Sequence, residues 1–389
     1  MKILGIKVNG FRLLEDEFYL DLRTRARVTS NDYEDEVINI AKNIDMPASI
    51  ALVGKNSSGK STVYNLLLNC YELLKDGQLI YNHLDFKREK IILSVVFGDS
   101  ENTFLYKVTI NKPQEQLITI RNDVNFCLFS HEELRGRLKP YEKHEDLFSG
   151  FGENILNSHS LEGGSRITSL SQKKSFGFDF AFIPSSLEMS CDSSLTEFFF
   201  SSLSSDFKSD LISLLDDSIE YIKPIPNTDD FEFKRKGTLR ERINQRDLNY
   251  ILSDGTKRGL NLFASAFFIL KKGGTLLVDE IEGSFHRNLV NNIIYLFNEN
   301  KINTKKANLI FTTHYSEILD SLRRRDPIFI CHKNKEGLIG IKNVYSDYKK
   351  RCELSKSKQF NNNVFDTLLN YDTLVRVRND IRNEISDSD

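Results

Sequence analysis

Cysteine is scarce in this chain of 389 residues: there are five, at Cys70, Cys127, Cys191, Cys331 and Cys352, and no two form a Cys-x-x-Cys pair. An odd, scattered set excludes a disulfide framework and a zinc-finger ligand set, and fits a reducing compartment. No uninterrupted apolar run approaches the ~20 residues that a membrane-spanning helix needs. The opening Met1-Lys2-Ile3-Leu4-Gly5-Ile6-Lys7-Val8 has the pattern of a strand, not of a signal peptide. The expectation is a soluble, cytoplasmic protein with no membrane partner. Net charge is low, −2 with 28% charged residues, so no global field favours nucleic acid. A sustained heptad pattern is missing, which excludes a long coiled coil, and there is no internal repeat. What remains is an apolar fraction of 40%, enough for a core. The length fits one large α/β domain with insertions, or two domains.

Against that background one stretch stands out, Gly54-Lys55-Asn56-Ser57-Ser58-Gly59-Lys60-Ser61-Thr62. It follows the apolar run Ser49-Ile50-Ala51-Leu52-Val53, which reads as a buried strand. It precedes Val63-Tyr64-Asn65-Leu66-Leu67-Leu68, which reads as a helix start. Strand, glycine-rich loop and helix are the context of a phosphate-binding P-loop. Gly54 and Gly59 let the backbone wrap an anion without a Cβ in the way. The loop's N–H groups, from Lys55 through Thr62, and the helix N-terminus then point at the phosphates. Lys60 supplies charge to the β- and γ-phosphates, and the Ser61 hydroxyl can ligate Mg²⁺. The expected ligands are ATP and Mg²⁺.

Three later segments complete a phosphate-handling set. Gly274-Thr275-Leu276-Leu277-Val278-Asp279-Glu280 is an apolar strand ending in two acids. Behind a P-loop it reads as a Walker B element, with Asp279 holding Mg²⁺ through its water shell and Glu280 acting as general base on the attacking water. Ser253 and Gly255, at the start of an apolar helix from Leu260 to Leu270, form a second anion-binding helix N-terminus. Leu309-Ile310-Phe311-Thr312-Thr313-His314 is a strand ending in a histidine. A neutral His314 there can hydrogen-bond a γ-phosphate or the attacking water.

Elsewhere the patterns are coarser. Residues 1–22 read as two strands around Asn9-Gly10, and 24–46 as a loop with one helix. The helix after the P-loop should end near Asp76, with Gly77 as its cap. Residues 90–121 alternate as an antiparallel meander of three strands. Residues 157–177, rich in serine and glycine, read as a loop. Ser205 to Asp217 is helical, with Phe207, Leu211, Leu214 and Leu215 on one face. Lys234, Arg235, Lys236, Arg240, Arg242 and Arg246 form a basic cluster: either a solvated hairpin or a contact for nucleic acid or an acidic partner. The tail from Asn362 to Glu384 is helical and packs on its own domain or docks a partner.

In this order the segments resemble the ABC-type ATPases of the SMC and RecF-like group. Val8-Asn9-Gly10-Phe11-Arg12 is similar to that group's N-terminal segment, which implies that Arg12 reaches the nucleotide's phosphates. Ser253-Asp254-Gly255-Thr256-Lys257-Arg258, Val278-Asp279-Glu280-Ile281-Glu282-Gly283-Ser284-Phe285-His286, Phe311-Thr312-Thr313-His314 and Arg324-Arg325-Asp326-Pro327-Ile328 resemble the AAA-type, ABC-like ATPases of prokaryotic anti-phage defence. The likeness is to an OLD-like ATPase domain without a TOPRIM nuclease. Asp254 departs from the commoner Ser or Gly. The resemblance implies an α/β ABC-type P-loop NTPase with a mixed β-sheet core, an antiparallel β subdomain and a helical lid or arm insertion. It divides the chain into 1–121 (first part of the ATPase domain), 122–205 (lid or arm), 206–350 (second part) and 351–389 (helical tail). It implies ATP hydrolysis by Lys60, Glu280 and His314, and nucleotide shared between the P-loop of one chain and Ser253 and Gly255 of another. The implied assembly is a homodimer or a higher even oligomer. No histidine follows His332, so a nuclease activity would have to come from a separate effector protein. Two other readings stay open: a RecF- or SMC-like DNA-repair ATPase that binds nucleic acid, and a nucleotide-dependent scaffold.

Overall fold

The computed structural model describes residues 1–11, 13–41, 44–76, 87–88, 90–100, 103–111, 127–130, 146–149, 155–156, 179–185, 204–225, 228, 230–283, 285–348, 355–365 and 371–386. Two sheets sandwich one helix. The apolar run Ser49–Val53 is strand β5, buried at every position as its composition requires. Around it runs a six-stranded sheet in the order β10 (Phe180–Ile183), β14 (Thr275–Val278), β15 (Asn308–Thr313), β5, β16 (Ile328–Lys333), β17 (Ile339–Asn343). All neighbours are parallel except the final β16–β17 pair. Register pairs Val278 with Phe311, and Thr313 with Val53. The residues that follow these strands, Gly54, Asp279 and His314, therefore leave the sheet at one carboxyl edge, where ligands bind in open α/β sheets.

The second sheet is antiparallel, in the order β2 (Phe18–Asp21), β1 (Lys2–Asn9), β6 (Lys90–Gly98), β7 (Thr103–Asn111), β8 (Cys127–Ser130), β9 (Ile155–Leu156). Helix α1 (Lys60–Asp76) lies between the sheets. Its Val63, Leu67, Cys70 and Tyr71 share one buried cluster with Ile3, Ile6 and Val95 of the antiparallel sheet and with Ile50 and Leu52 of the parallel one. The expected meander is β6 and β7; its third strand, at 117–120, and the Gly77 cap lie outside the described residues, as does the loop expected at 157–177.

Downstream of α2 (Asp146–Ser149), helix α3 (Ser205–Leu215) packs on a three-stranded sheet of β11 (Ile219–Pro224), β12 (Asp230–Arg235) and β13 (Glu241–Asn244), followed by α4 (Gln245–Ile251). Helix α5 (Asp254–Lys272) and helix α6 (Arg287–Asn298) cover the outer face of the parallel sheet, burying Leu262, Ala266, Ile269, Val290, Ile293 and Phe297. Then come α7 (Lys356–Asn361) and α8 (Tyr371–Ser386). Phe360 and Phe365 join the core, whereas Ile381 and Ile385 of α8 are exposed.

Three expectations change. Residues 24–46 carry a short 3-10 turn at Ser30–Tyr33 and a hairpin, β3 (Val37–Ala41) with β4 (Ile44–Pro47). Its alternation is masked by the cross-strand polar pair in which Asn39 Nδ2 donates to Asp45 Oδ1 at 2.9 Å. On α3 the expected Leu211 is buried and Leu215 packs half-buried on the same cluster, joined by Ile212, whereas Phe207 and Leu214 are 40% and 56% exposed, because β11 meets the helix on a face partly rotated from the expected one. Within 122–205, expected as a helical lid or arm, the described residues include β8 and β9, which extend the antiparallel sheet, and β10, which forms an edge of the parallel sheet. Phe180–Ile183 is a short apolar strand whose partner, β14, lies far along the chain, so local sequence carried no sign of that pairing.

Candidate nucleotide site

The P-loop is built by backbone constraint. Gly54 and Gly59 stand at φ of 155° and 100°, and Ser57 at 60°. A Cβ at Gly54 would fall 2.5 Å from the Cys331 carbonyl oxygen, and one at Gly59 within 2.5–2.6 Å of Ile339 carbons. The loop closes only with glycine at both places. Ser58 is fully buried and its Oγ has no partner among the described residues. Lys60, the first residue of α1, is buried; its Nζ donates to the carbonyls of Gly54 (3.0 Å) and Lys55 (3.1 Å) and lies 3.2 Å from His314 Nδ1. Burial lowers the affinity of Lys60 for its proton, while Cys331, Glu282, Glu280 and Asp279 work the other way. Lys55, Asn56, Ser57 and Ser61 are exposed around this cradle. A close-wrapped backbone, a buried ammonium and a helix N-terminus together fit a polyphosphate.

The acids at the end of β14 are held by β15. Thr312 Oγ1 donates to Asp279 Oδ1 at 2.6 Å and accepts from the Glu280 N–H at 2.7 Å. Asp279 is buried and forms no ion pair among the described residues, so its carboxyl oxygens are not taken up by a cationic side chain there. Glu280 sits at φ 49°, a left-handed conformation that a non-glycine residue keeps only when its surroundings impose it. Its Oε1 lies 3.5 Å from His314 Nε2. His314 in turn donates its backbone N–H to the buried Glu282 Oε1 at 2.5 Å. Lys60, His314 and Glu280 thus form one polar chain, with the two ring nitrogens of His314 in the middle.

Sequence reasoning missed three supports. Arg258, on α5, is 4% exposed, and its guanidinium donates to the carbonyls of Ser185 (2.9 Å), Asp279 (2.8 Å) and Glu280 (2.7 Å). A Cβ on Gly283 would meet that guanidinium at 2.6 Å. Thr312 and Glu282 are the others. The available signal was polarity in apolar settings: Thr312 interrupts a buried strand, and Arg258 opens the apolar run of α5.

Ser253 is the N-cap of α5, accepting from Thr256 N–H at 3.1 Å. Asp254 pairs with Lys257 at 2.7 Å on the surface. No hydrogen bond joins Ser253 or Gly255 to the P-loop of the same chain among the described residues. Arg12 lies outside the described residues. Three residues of the basic cluster are paired with carboxylates: Lys234 with Glu220 (2.7 Å), Arg240 with Glu232 (2.8 Å) and Arg242 with Asp230 (2.6 Å). No helix among the described residues is long and apolar enough to cross a membrane.

No curated protein matches the chain. Among solved structures it is similar to an SMC head domain from Thermotoga maritima, at 11% identity and TM-score 0.43, over 88% of this chain and 99% of that one. It is also similar to the recombination mediator protein RecF with ATPrS, at 10% identity and TM-score 0.38, over 87% and 98% of the two chains. The structure of RecF with ATP gives 14% identity and TM-score 0.35, over 87% and 97%. Residues 49–320, well over half of the chain, match the family model described as "AAA domain, putative AbiEii toxin, Type IV TA system", and with a P-loop of this geometry the chain belongs to that family of AAA-type P-loop ATPase domains.

Proposed function

We propose that the chain binds and hydrolyses ATP, assembles through nucleotide sites shared between copies, and regulates a separate effector, such as a nuclease, in anti-phage defence. The observation that carries the hydrolysis is the polar chain Lys60–His314–Glu280 at 3.2 and 3.5 Å. The P-loop N–H groups and Lys60 bind and orient the β- and γ-phosphates. Ser61 and Asp279 would hold a magnesium ion, which, when bound, supplies charge neutralisation to the phosphates. Glu280 takes a proton from the attacking water, and His314, between it and Lys60, relates that carboxylate to the γ-phosphate position. Shared sites are supported by Ser253 and Gly255: their helix N-terminus suits an anion but makes no hydrogen bond to its own P-loop among the described residues.

The defence role rests on the family's own description as an AbiEii-like toxin of a toxin–antitoxin system. The RecF-like reading, with nucleic acid as partner, has less support, because three of the cluster's basic residues are already paired with carboxylates. The test is Glu280→Gln. It keeps the shape and hydrogen-bonding reach of the side chain but removes the base, so phosphate release should slow by roughly 10²–10⁴ while ATP binding persists. Turnover equal to wild type would assign the base elsewhere.

A further inference from the structure

The turn that carries Glu280 and the turn that carries His314 are joined by one side chain. After β14 the backbone bends back on itself: the Gly283 N–H donates to the Glu280 carbonyl at 2.9 Å, and the Ile281 N–H to the Thr312 carbonyl of β15 at 3.0 Å. This sets the Glu282 side chain against the end of β15, where its Oε1 accepts the His314 backbone N–H at 2.5 Å. The Phe285 N–H donates to the Glu282 carbonyl at 2.8 Å, so the backbone that presents this carboxylate is held as well. Glu282 is buried; among the described residues its Oε2 meets no donor, and it forms no ion pair. A buried carboxylate with so few partners costs stability, and an apolar residue of the same size would not. The bond it does make is therefore the feature to explain.

His314 lies one residue past the end of β15, whose last register pair is Thr313 with Val53. Its N–H is bonded by Glu282 instead of by a neighbouring strand. Its ring is the middle of the polar chain, with Nδ1 3.2 Å from Lys60 Nζ and Nε2 3.5 Å from Glu280 Oε1. Both contacts require the His314 backbone to stay in register with the 280–283 turn. We propose that Glu282 is a positioning residue: by accepting the His314 N–H it fixes the imidazole between Lys60 and Glu280. Its effect on turnover rests on the hydrolysis proposed above, whereas its effect on the ring does not. A competing role is charge alone. Burial makes Lys60 and Arg258 hold their protons less firmly, and the Glu282 carboxylate is among the groups that oppose this in both.

Two substitutions separate the roles. Glu282→Gln removes the charge but keeps an acceptor oxygen; Glu282→Leu removes both at similar volume. Full-length proteins with the circular dichroism of wild type are compared by ¹³C–¹H NMR of the histidine rings without added nucleotide. His314→Gln identifies the His314 signal among the seven histidines. In Glu282→Leu that signal should move, and kcat for phosphate release should fall about 10²-fold, because a displacement of about 1 Å suffices. ATP affinity should change less than about threefold, since the P-loop does not use Glu282. Glu282→Gln should keep the wild-type His314 signal and a kcat within about fivefold of wild type. An unmoved His314 signal in folded Glu282→Leu would overturn the proposal. So would a kcat in Glu282→Gln as low as in Glu282→Leu, which assigns the role to charge. If the leucine variant does not fold, a displaced His314 signal in Glu282→Gln, or a kcat there below about a tenth of wild type, overturns it equally. A wild-type protein that does not hydrolyse ATP would refute the proposed function, and the ring signals would still decide whether Glu282 places His314.

Discussion

Removing the Arg258 guanidinium should damage both stability and turnover. In Arg258→Met the side chain keeps much of its length and apolar contact but loses every donor. Three carbonyls, on Ser185, Asp279 and Glu280, lose bonds of 2.7–2.9 Å to a buried cation. Each charge-assisted bond is worth ~1.5–3 kcal/mol gross, partly offset because a buried guanidinium no longer needs desolvating. Breaking such a buried polar network by removing one partner costs about 3–5 kcal/mol. At ~2–4 °C per kcal/mol, a figure for domains of moderate size, Tm should fall by roughly 6–20 °C. Under the proposed mechanism the catalytic consequence is separate. The Glu280 carbonyl is one of the three, and Glu280 holds φ 49° against its own preference. A base released by even 1 Å can lose about 10²-fold in kcat. Scanning calorimetry reads the first effect, and steady-state phosphate release, well below Tm, reads the second. Arg258→Lys keeps the charge without the fork, so it should recover part of the Tm and little of the kcat. A folded Arg258→Met protein with wild-type kcat would refute the link between this clamp and the base.

Two further outcomes concern the nucleotide itself. Lys60→Ala removes the buried ammonium beside the P-loop carbonyls and should weaken ATP binding roughly 10–150-fold by calorimetry; unchanged affinity would take the P-loop out of the mechanism. Ser253→Arg should block a shared site sterically while ATP still binds the single chain, and mixing it with Lys60→Ala should restore at most about half of wild-type turnover, since only one composite site then joins two intact halves. Full activity in Ser253→Arg alone would rule out a shared site.

Much of this site was legible because its signals are local. The P-loop needs strand, glycines, lysine and helix in contiguous order, and Ser49 to Leu68 supplies them within one stretch. The Walker B strand and the His314 strand were legible because buried parallel strands read as short apolar runs bounded by polar residues. Arg258 was harder. It stood inside a recognised segment, but its function lies in reaching the carbonyls of Asp279 and Glu280, on another element, and backbone carbonyls carry no sequence signal. The β3–β4 hairpin was hidden because Asn39 and Asp45 satisfy each other across the strands, so polar residues occupy positions where alternation would show. The edge strand β10 was hidden by distance along the chain. Four apolar residues have no period of their own until β14 lies beside them.

The supports share a geometry that bears on how the site is kept in register. Asp279 and Glu280 leave β14 next to Thr312 of β15, and one hydroxyl serves both, donating to the carboxylate and accepting from the N–H. On the other side the carbonyls of the same two residues are held by Arg258 of α5. The acidic pair is therefore fixed by both its peptide polarities, N–H toward the sheet and C=O toward the helix. A left-handed backbone at Glu280 costs of order 1–3 kcal/mol, and bonds on both sides of the peptide offset it. The same arrangement makes α5 the element to which Glu280, the proposed base, is most directly tied outside the sheet. Ser253 caps that helix and Arg258 lies five residues on, about 1.4 turns. A group bound at the helix N-terminus and the orientation of Glu280 would thus be linked by under a turn and a half of α-helix and two hydrogen bonds, without any intervening loop.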